Sequence, residues 1–586
     1  SLVLLPMALL LASSSALSST VIAAPEAMRE PVGPPSFGIN SHLATRYPDP
    51  TAMDVPAQTL ADLNITWVRE DFHWHRIQYD RDVWDWTFTD AAMRALLKED
   101  IQVLGVLGPS VGWATPYTGD NPHDVSFYAP DPELFLDYVR AVVARYRRYV
   151  KHWEIWNEPD HPYFWQPEPD PVAYADLLKR TSAVIKEIDP DAQVVIGGFN
   201  PFNTTFVRTV AEAGAWDSFD ILALHPYVDP YTPEEGNLAA ALDIAHALNY
   251  QYGERPIWVT EIGWASGPGD RDAIGFTDET EQASFLVRSL LLLWANGAER
   301  IFWYMLKDDA HNPYGLYRYG AGRTDFSTSL RKPAYNAMRT LNRELEGATF
   351  VERRDLFDSI PVESFTASVP WKRAQQPNGQ LALSESGVGS IAYNFSTRGN
   401  DYLVFEREQP VRIPGKPYAL GVWVYGDGST HTLRAWVRDA EGELLQLKLG
   451  VAGEPGWRFI STPLNRPVEP GDRVAGNGNL RVDFPIQFEA LVLDDSHDGF
   501  VGISTIYIDN LTAVTGREVY NLRFERDGRA LDVIWSPPGI RIALNTAART
   551  AFYRNLDGRA FDAAVNHGRI SLTVGQAPLF LWHERE

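Results

Sequence analysis

A chain of 586 residues is too long for one core and implies two or three domains. With 45% hydrophobic and 12% aromatic residues it can bury those cores, which excludes a disordered chain, and a formal net charge of −24 argues against nucleic-acid and anionic-membrane partners and suits neutral ligands. Zero cysteines exclude disulfides, thiolate metal sites and a cysteine nucleophile, while 19 tryptophans supply the flat faces on which sugar rings stack.

Residues 1–24 are apolar and then small and polar, ending in an A-x-A-like run, so they are expected to be a secretory signal peptide whose charged start is missing. A membrane anchor is the alternative, but the apolar core from Leu2 to Leu11 is too short to span a bilayer. An exported chain without disulfides is expected to be secreted or extracytoplasmic, with a bacterial source fitting best.

From 36 to 347 short apolar runs alternate with amphipathic stretches. The runs are FGIN (37–40), ITWVRE (65–70), IQVLGVLG (101–108), HWEIWNE (152–158), AQVVIGG (192–198), DILALHPY (220–227), PIWVTEIGW (256–264) and RIFWYML (300–306). Between them, segments such as 131–148 and 174–188 carry apolar residues at helical spacing. Eight strand-then-helix units predict an α/β fold, a (β/α)8 TIM barrel. A doubly wound open sheet is the alternative, yet the glycine-rich phosphate turn it would carry after its first strand is absent.

In a barrel, chemistry belongs at the C-terminal ends of the strands. Strand four is expected to end in Asn157 and Glu158 and strand seven in Glu261. Strand six brings His225 and Tyr227, strand two Arg69 and Glu70, and strand eight Trp303 and Tyr304. One strand-end glutamate is commonly a loop salt bridge, and Arg69 could simply pair with Glu70 or Asp71. Two glutamates on strands four and seven, one preceded by an asparagine, are a candidate catalytic pair. Glu154, below the rim, reads as buried scaffold. His73, Trp74, Trp113, Trp165 and Trp264 are candidate subsite walls, and Trp156 a candidate desolvating neighbour for Glu158.

The motifs IWNEP (155–159), LHPY (224–227), VTEIGW (259–264) and FWY (302–304) resemble those of retaining glycoside hydrolases of clan A, most of all family 39 and related cellulase-like and β-xylosidase-like enzymes. The resemblance covers the barrel. It implies Glu158 as acid/base, Glu261 as nucleophile and Asn157 as the partner of the sugar 2-hydroxyl; Trp303 matches the residue that floors the sugar site. Catalysis of this kind requires two carboxyl groups about 5–5.5 Å apart in different environments and no cofactor. Arg69, with Tyr227 or His225, would hold Glu261 charged; which of the two touches it is left open.

Beyond about 350 helical periods vanish and alternating strands separated by Gly, Pro and Asp turns predict β-sandwich accessory domains. Residues 360–515 resemble a jelly-roll carbohydrate-binding module, with Trp371, Tyr393, Trp423 and Trp436 as candidate ligand aromatics. The resemblance also suggests a structural calcium near Glu363 and Asp509. Residues 516–586 form a small C-terminal β-domain that strand 348–357 would complete if the jelly roll is inserted; a tandem order is the alternative. The function expected is a secreted retaining hydrolase of β-glycosidic bonds in a polysaccharide or oligosaccharide, with a glycan as partner, no nucleic acid and no membrane span. A noncatalytic carbohydrate-binding or scaffold protein is the rival, and endo and exo action are not separable.

Overall fold

The structure is a computed structural model that describes residues 20–23, 29, 31–117, 119, 121–270 and 275–584. Most of the signal-peptide segment lies outside the described residues. The backbone of Thr20–Ala23 forms a strand antiparallel to Leu356–Ser359.

Eight parallel strands make the barrel: β1 (Phe37–Asn40), β2 (Trp67–Phe72), β3 (Gln102–Leu107), β4 (His152–Ile155), β5 (Gln193–Ile196), β6 (Leu222–Leu224), β7 (Ile257–Ile262) and β8 (Arg300–Trp303). Their spatial order is 5-4-3-2-1-8-7-6, and bridges Val195–Ile221 and Phe199–Leu224 join β5 to β6. The sheet therefore closes, which excludes the doubly wound alternative. Strands such as β2 and β7 are buried along their whole length, as expected where helices cover one face and the barrel core the other.

The covering helices begin where the sequence offers caps. Asp131 accepts from the backbone N–H groups of Glu133 and Leu134 to start Pro132–Tyr146, and proline at the first helical position loses no bond it could have made. Asp170 does the same before Pro171–Ile188, and Asp278 with Glu281 forms a capping box before Glu279–Ala295. Among the described residues no helix is long and apolar enough to cross a membrane.

The accessory region is a sandwich threaded through a smaller unit. One sheet orders 379–383, 388–395, 502–514, 419–425 and 457–463; the other orders 402–413, 486–494, 429–438, 444–453 and 473–475. The strand Gly502–Arg526 continues out of the sandwich, and its end pairs with Thr349–Arg353 on one side and Arg529–Trp535 on the other. The chain before and after the sandwich thus meets in one sheet, so the topology is that of an insertion. This small unit shares the barrel's core: Trp294 stacks on Phe524 at 5.5 Å, and the Trp535 indole donates to Glu234 at 2.7 Å. Large side chains buried in this way contribute about 1.5–3 kcal/mol each, which ties the unit to the barrel.

The pair suggested for calcium does not fit that ion. Glu363 is buried, accepts from the backbone N–H of Phe365 at 2.9 Å and lies 3.1 Å from the Arg407 guanidinium, whose positive charge occupies the place a cation would take. Asp509 sits on the neighbouring strand, two positions from Leu511, the residue Glu363 pairs with, and its carboxyl is pushed up to about 6 by burial.

Candidate active site

Strand four stops earlier than the apolar run implies. The ladder ends at Ile155, and Trp156, Asn157 and Glu158 form a turn in which Trp156 (φ 72°) and Glu158 (φ 44°) both occupy the left-handed region. For residues with a side chain this costs about 1–3 kcal/mol each and requires a surrounding that dictates it. The turn is pinned by Trp156 N–H to the Leu107 carbonyl and Glu158 N–H to the Gly198 carbonyl, each 2.9 Å. Gly198 is required for another reason: a Cβ there would stand 2.1 Å from His225 Nε2. A bare backbone just beyond β5 lets the histidine just beyond β6 lie against the turn that carries Glu158.

Arg69, in the middle of β2, organises the rim. Its Nε and Nη2 donate to the two oxygens of Glu154 at 2.7 and 3.2 Å, Nη1 donates to Glu261 Oε1 at 2.6 Å and to Asn40 Oδ1 at 3.0 Å, and Nη2 donates to Asn157 Oδ1 at 2.8 Å. Burial opposes its charge, but Glu154 and Glu261 outweigh that and raise its pKa, so the guanidinium stays charged. Its partners are therefore on other strands and not the adjacent Glu70 or Asp71. Glu154 is fully buried; Gly198 N–H at 2.9 Å and Thr260 Oγ1 at 3.2 Å also donate to it. It is the fixed anchor of the arginine.

The open choice on strand six resolves into two separate duties. Tyr227 OH donates to Glu261 Oε2 at 2.8 Å, so the two oxygens of Glu261 accept from a phenol and a guanidinium. His225 Nδ1 lies 2.8 Å from Glu158 Oε1 and 3.9 Å from Glu261 Oε2. Its Nε2 lies 2.9 Å from Thr260 Oγ1, whose proton is directed to Glu154. The hydroxyl then accepts from Nε2–H, which leaves Nδ1 and Glu158 to share a single proton. Burial lowers the histidine's pKa, but Glu261 and Glu158 more than reverse this, so the net shift is upward.

One carboxylate oxygen each of Glu158 and Glu261 and a ring nitrogen of His225 all lie within 4.8 Å of one another. The side chains of Glu158 and Glu261 keep 13% and 7% exposure, whereas that of Glu154 keeps none, which separates the pair open to a ligand from the scaffold.

Several candidates lie elsewhere. Trp303 is fully buried and stacks on Trp264 at 6.1 Å; the floor role is thus corrected, because a side chain with no exposed surface presents no face to a sugar. Trp74, Trp165 and Trp264 are likewise core residues, and Trp156 packs inside with its indole donating to the Phe164 carbonyl. Trp113 and His73 stay partly buried beside them. Asn40 and Thr260 were not singled out from the sequence, although Asn40 ends the run FGIN and Thr260 precedes Glu261, so the strand-end rule that found Arg69 reaches both. Beside Arg69, Glu70 turns away and accepts from Leu43 N–H at 3.0 Å, Ala44 N–H at 2.9 Å and the Ser41 hydroxyl. Burial and the neighbouring Asp71 push its carboxyl up to about 7.

Residues 135–322 match the family model described as glycosyl hydrolase catalytic core. The matched stretch begins in the helix before β4 and runs beyond β8, so it spans the part of the barrel that carries Glu158 and Glu261. No curated protein matches the chain. Among solved structures, a family 39 glycoside hydrolase from the gut symbiont Bacteroides cellulosilyticus WH2 aligns with a TM-score of 0.55 at 17% identity, covering 94% of this chain and 81% of that one. A monomeric β-xylosidase from Caulobacter crescentus CB15 aligns with a TM-score of 0.41 at 16% identity, covering 82% and 98%. The first of these likenesses establishes the fold, including the accessory domains, across most of the chain.

Proposed function

We propose that the protein is a retaining β-glycosidase in which Glu261 is the nucleophile and Glu158 the acid/base. The observation that carries this reading is the close approach of the Glu158 and Glu261 carboxylates, within 4.8 Å between oxygens, with different partners on each. Such a separation leaves no room for the water that an inverting pair, about 6.5–9.5 Å apart, holds between its carboxyl groups. Glu261, gripped by Arg69 and Tyr227, is oriented to attack the anomeric carbon. As the glycosidic bond breaks, the proton held between His225 and Glu158 passes to the leaving oxygen. Glu158, now a carboxylate, accepts a proton from water, and the resulting hydroxide displaces Glu261, so configuration is retained after two inversions. Asn157 accepts from Arg69, which leaves its amide N–H groups free to point at a substrate hydroxyl.

The substrate class follows from the same reading: a neutral β-linked polysaccharide or oligosaccharide suits a chain of net charge −24. Export is supported by the apolar leader-like segment 1–24. The test is hydrolysis of a panel of aryl β-glycosides followed by NMR of the first-formed anomer, with a 2-deoxy-2-fluoro glycoside used to trap the intermediate. Retention with the label on the peptide containing Glu261 is expected; inversion, or a label elsewhere, refutes the assignment.

A further inference from the structure

The two glutamates are joined beneath the rim by a chain of hydrogen bonds. Arg69 donates to Glu261 and to both oxygens of Glu154. Thr260 Oγ1 lies 3.2 Å from Glu154 Oε1 and 2.9 Å from His225 Nε2, and His225 Nδ1 lies 2.8 Å from Glu158 Oε1. Glu154 and Thr260 have no exposed surface and the His225 side chain keeps 1%, so bulk water does not reach these contacts. Thr260 precedes Glu261 on β7, and a regular strand would send the two to opposite faces. Here the register of β7 against β8 shifts between Val259 and Ile262, and both residues reach His225, with Glu261 Oε2 3.9 Å from Nδ1. The Asn40 amide donates to the Thr260 carbonyl at 3.0 Å and fixes the backbone at that point.

A threonine hydroxyl has one proton, and where it points decides which nitrogen of His225 must carry its own. If the hydroxyl donated to Nε2, its lone pairs would face the buried Glu154 carboxylate, and Nδ1–H would donate to a charged Glu158. That proton could not be given up without leaving an imidazolate, so the pair would be no acid. If the hydroxyl donates to Glu154, it accepts from Nε2–H, and Nδ1 is left to share a further proton with Glu158. Whether that proton rests on the carboxyl or on the ring, giving it to a leaving oxygen leaves a carboxylate beside a neutral imidazole. The charge of Glu154, held in place by Arg69, selects the second arrangement.

We propose that Thr260 is a positioning residue that locks the tautomer of His225 and so determines whether Glu158 has a proton to deliver. The guanidinium that grips Glu261 thereby also fixes, through Glu154 and Thr260, the proton at the opposite carboxylate. The use made of that proton rests on the glycosidase reading; the tautomer does not. The charged and titratable groups that bear on the histidine are Glu261 from β7, Glu158 from the turn after β4, Arg69 from β2 and Asp160, whose carboxyl burial pushes up to about 6. Thr260, which carries no charge, is the contact on Nε2.

The tautomer is read directly by nitrogen NMR of the full chain labelled at its histidines, above the pH at which His225 takes a second ring proton. In the unsubstituted protein Nε2 should give a signal of the protonated type and Nδ1 one of the unprotonated type, the resonances being assigned by their loss in His225→Gln. Thr260→Val removes the acceptor and would strand Nε2–H, so the proton should move to Nδ1, whereas Thr260→Ser should keep the original pattern. Kinetics supply the second readout. Phenyl β-glycosides need an acid for departure and 2,4-dinitrophenyl β-glycosides do not. The kcat/KM of Thr260→Val should therefore fall about tenfold or more on the former and change less than about twofold on the latter, with the alkaline limb of its pH profile at lower pH. An Nδ1–H tautomer in the unsubstituted protein, an unchanged pattern in Thr260→Val, equal losses on both leaving groups, or Thr260→Ser behaving like Thr260→Val would each overturn the proposal. If Thr260→Val does not fold, the unsubstituted chain and Thr260→Ser still decide it. The NMR needs no substrate, so the expected tautomer in a chain that hydrolyses no glycoside would refute the glycosidase reading and leave the lock standing.

Discussion

The barrel rim and the outer face of the sandwich both gather aromatic rings and carboxylates, yet they are built on opposite principles. At the rim, Arg69 is buried at the centre of a closed network in which Glu154, Glu261, Asn40 and Asn157 each accept from it. On the sandwich, Tyr425 and Tyr507 stand in water beside Trp457. A reacting site needs charges fixed before the substrate arrives, because reorganising them during the reaction would raise the barrier. The outer sheet face carries no such demand, and its rings remain in solvent.

The comparison can be broken at its strongest point first. Replacing Glu261 with Ala is expected to reduce kcat on an aryl glycoside by at least about 10⁴-fold, and Glu158→Gln by about 10²–10⁴-fold, in steady-state assays. Residual activity near that of the unsubstituted protein in either would place the chemistry elsewhere.

Next comes the scaffold. Glu154→Gln removes one charge of a fully buried pair and leaves Arg69 short of a counter-ion, so urea unfolding should show a loss of about 3–5 kcal/mol. An exposed pair such as Lys98 with Asp54, 3.2 Å apart, should contribute under about 1 kcal/mol when Asp54→Ala is measured in the same way.

A smaller effect is expected from pH. The ordinary value for Glu70 is 4.5 and burial raises it to about 7 in the folded chain. Between those values the folded state binds a proton that the unfolded chain has released, so this contribution is fully present below pH 4.5 and is lost as pH rises through about 7. Glu70→Gln should flatten the fall in unfolding free energy between about pH 5 and 8 by about 1–3 kcal/mol. A slope unchanged by the substitution would assign the pH dependence to another group.

The smallest effect is expected from metal removal. Because Arg407 neutralises Glu363, treatment with EDTA should move the unfolding midpoint by less than about 1 °C. A larger fall would show that the sandwich holds a cation after all.

How much of this was legible depends on the range of the forces involved. The eight apolar runs located the barrel strands to within a few residues, since burial on both faces imposes a continuous hydrophobic signature on the local sequence. The rim residues followed from one rule, that strand ends carry the chemistry, and Arg69, Asn157, Glu158, His225, Tyr227 and Glu261 do meet there. The same rule applied to a tryptophan misled: Trp303 ends β8, but stacking on Trp264 takes it into the core.

By itself, then, the sequence determined the barrel, the change to β-structure near residue 350 and the pairing of Glu158 with Glu261, because alternation, apolar runs and strand-end polarity are local records of burial. Only the tertiary structure decided that Arg69 binds Glu154 and Glu261 and not its neighbours, that His225 serves Glu158 while Tyr227 serves Glu261, and that the sandwich interrupts the small unit. Those outcomes depend on which strands lie side by side and on a missing Cβ at Gly198, distances across the fold that no stretch of sequence contains.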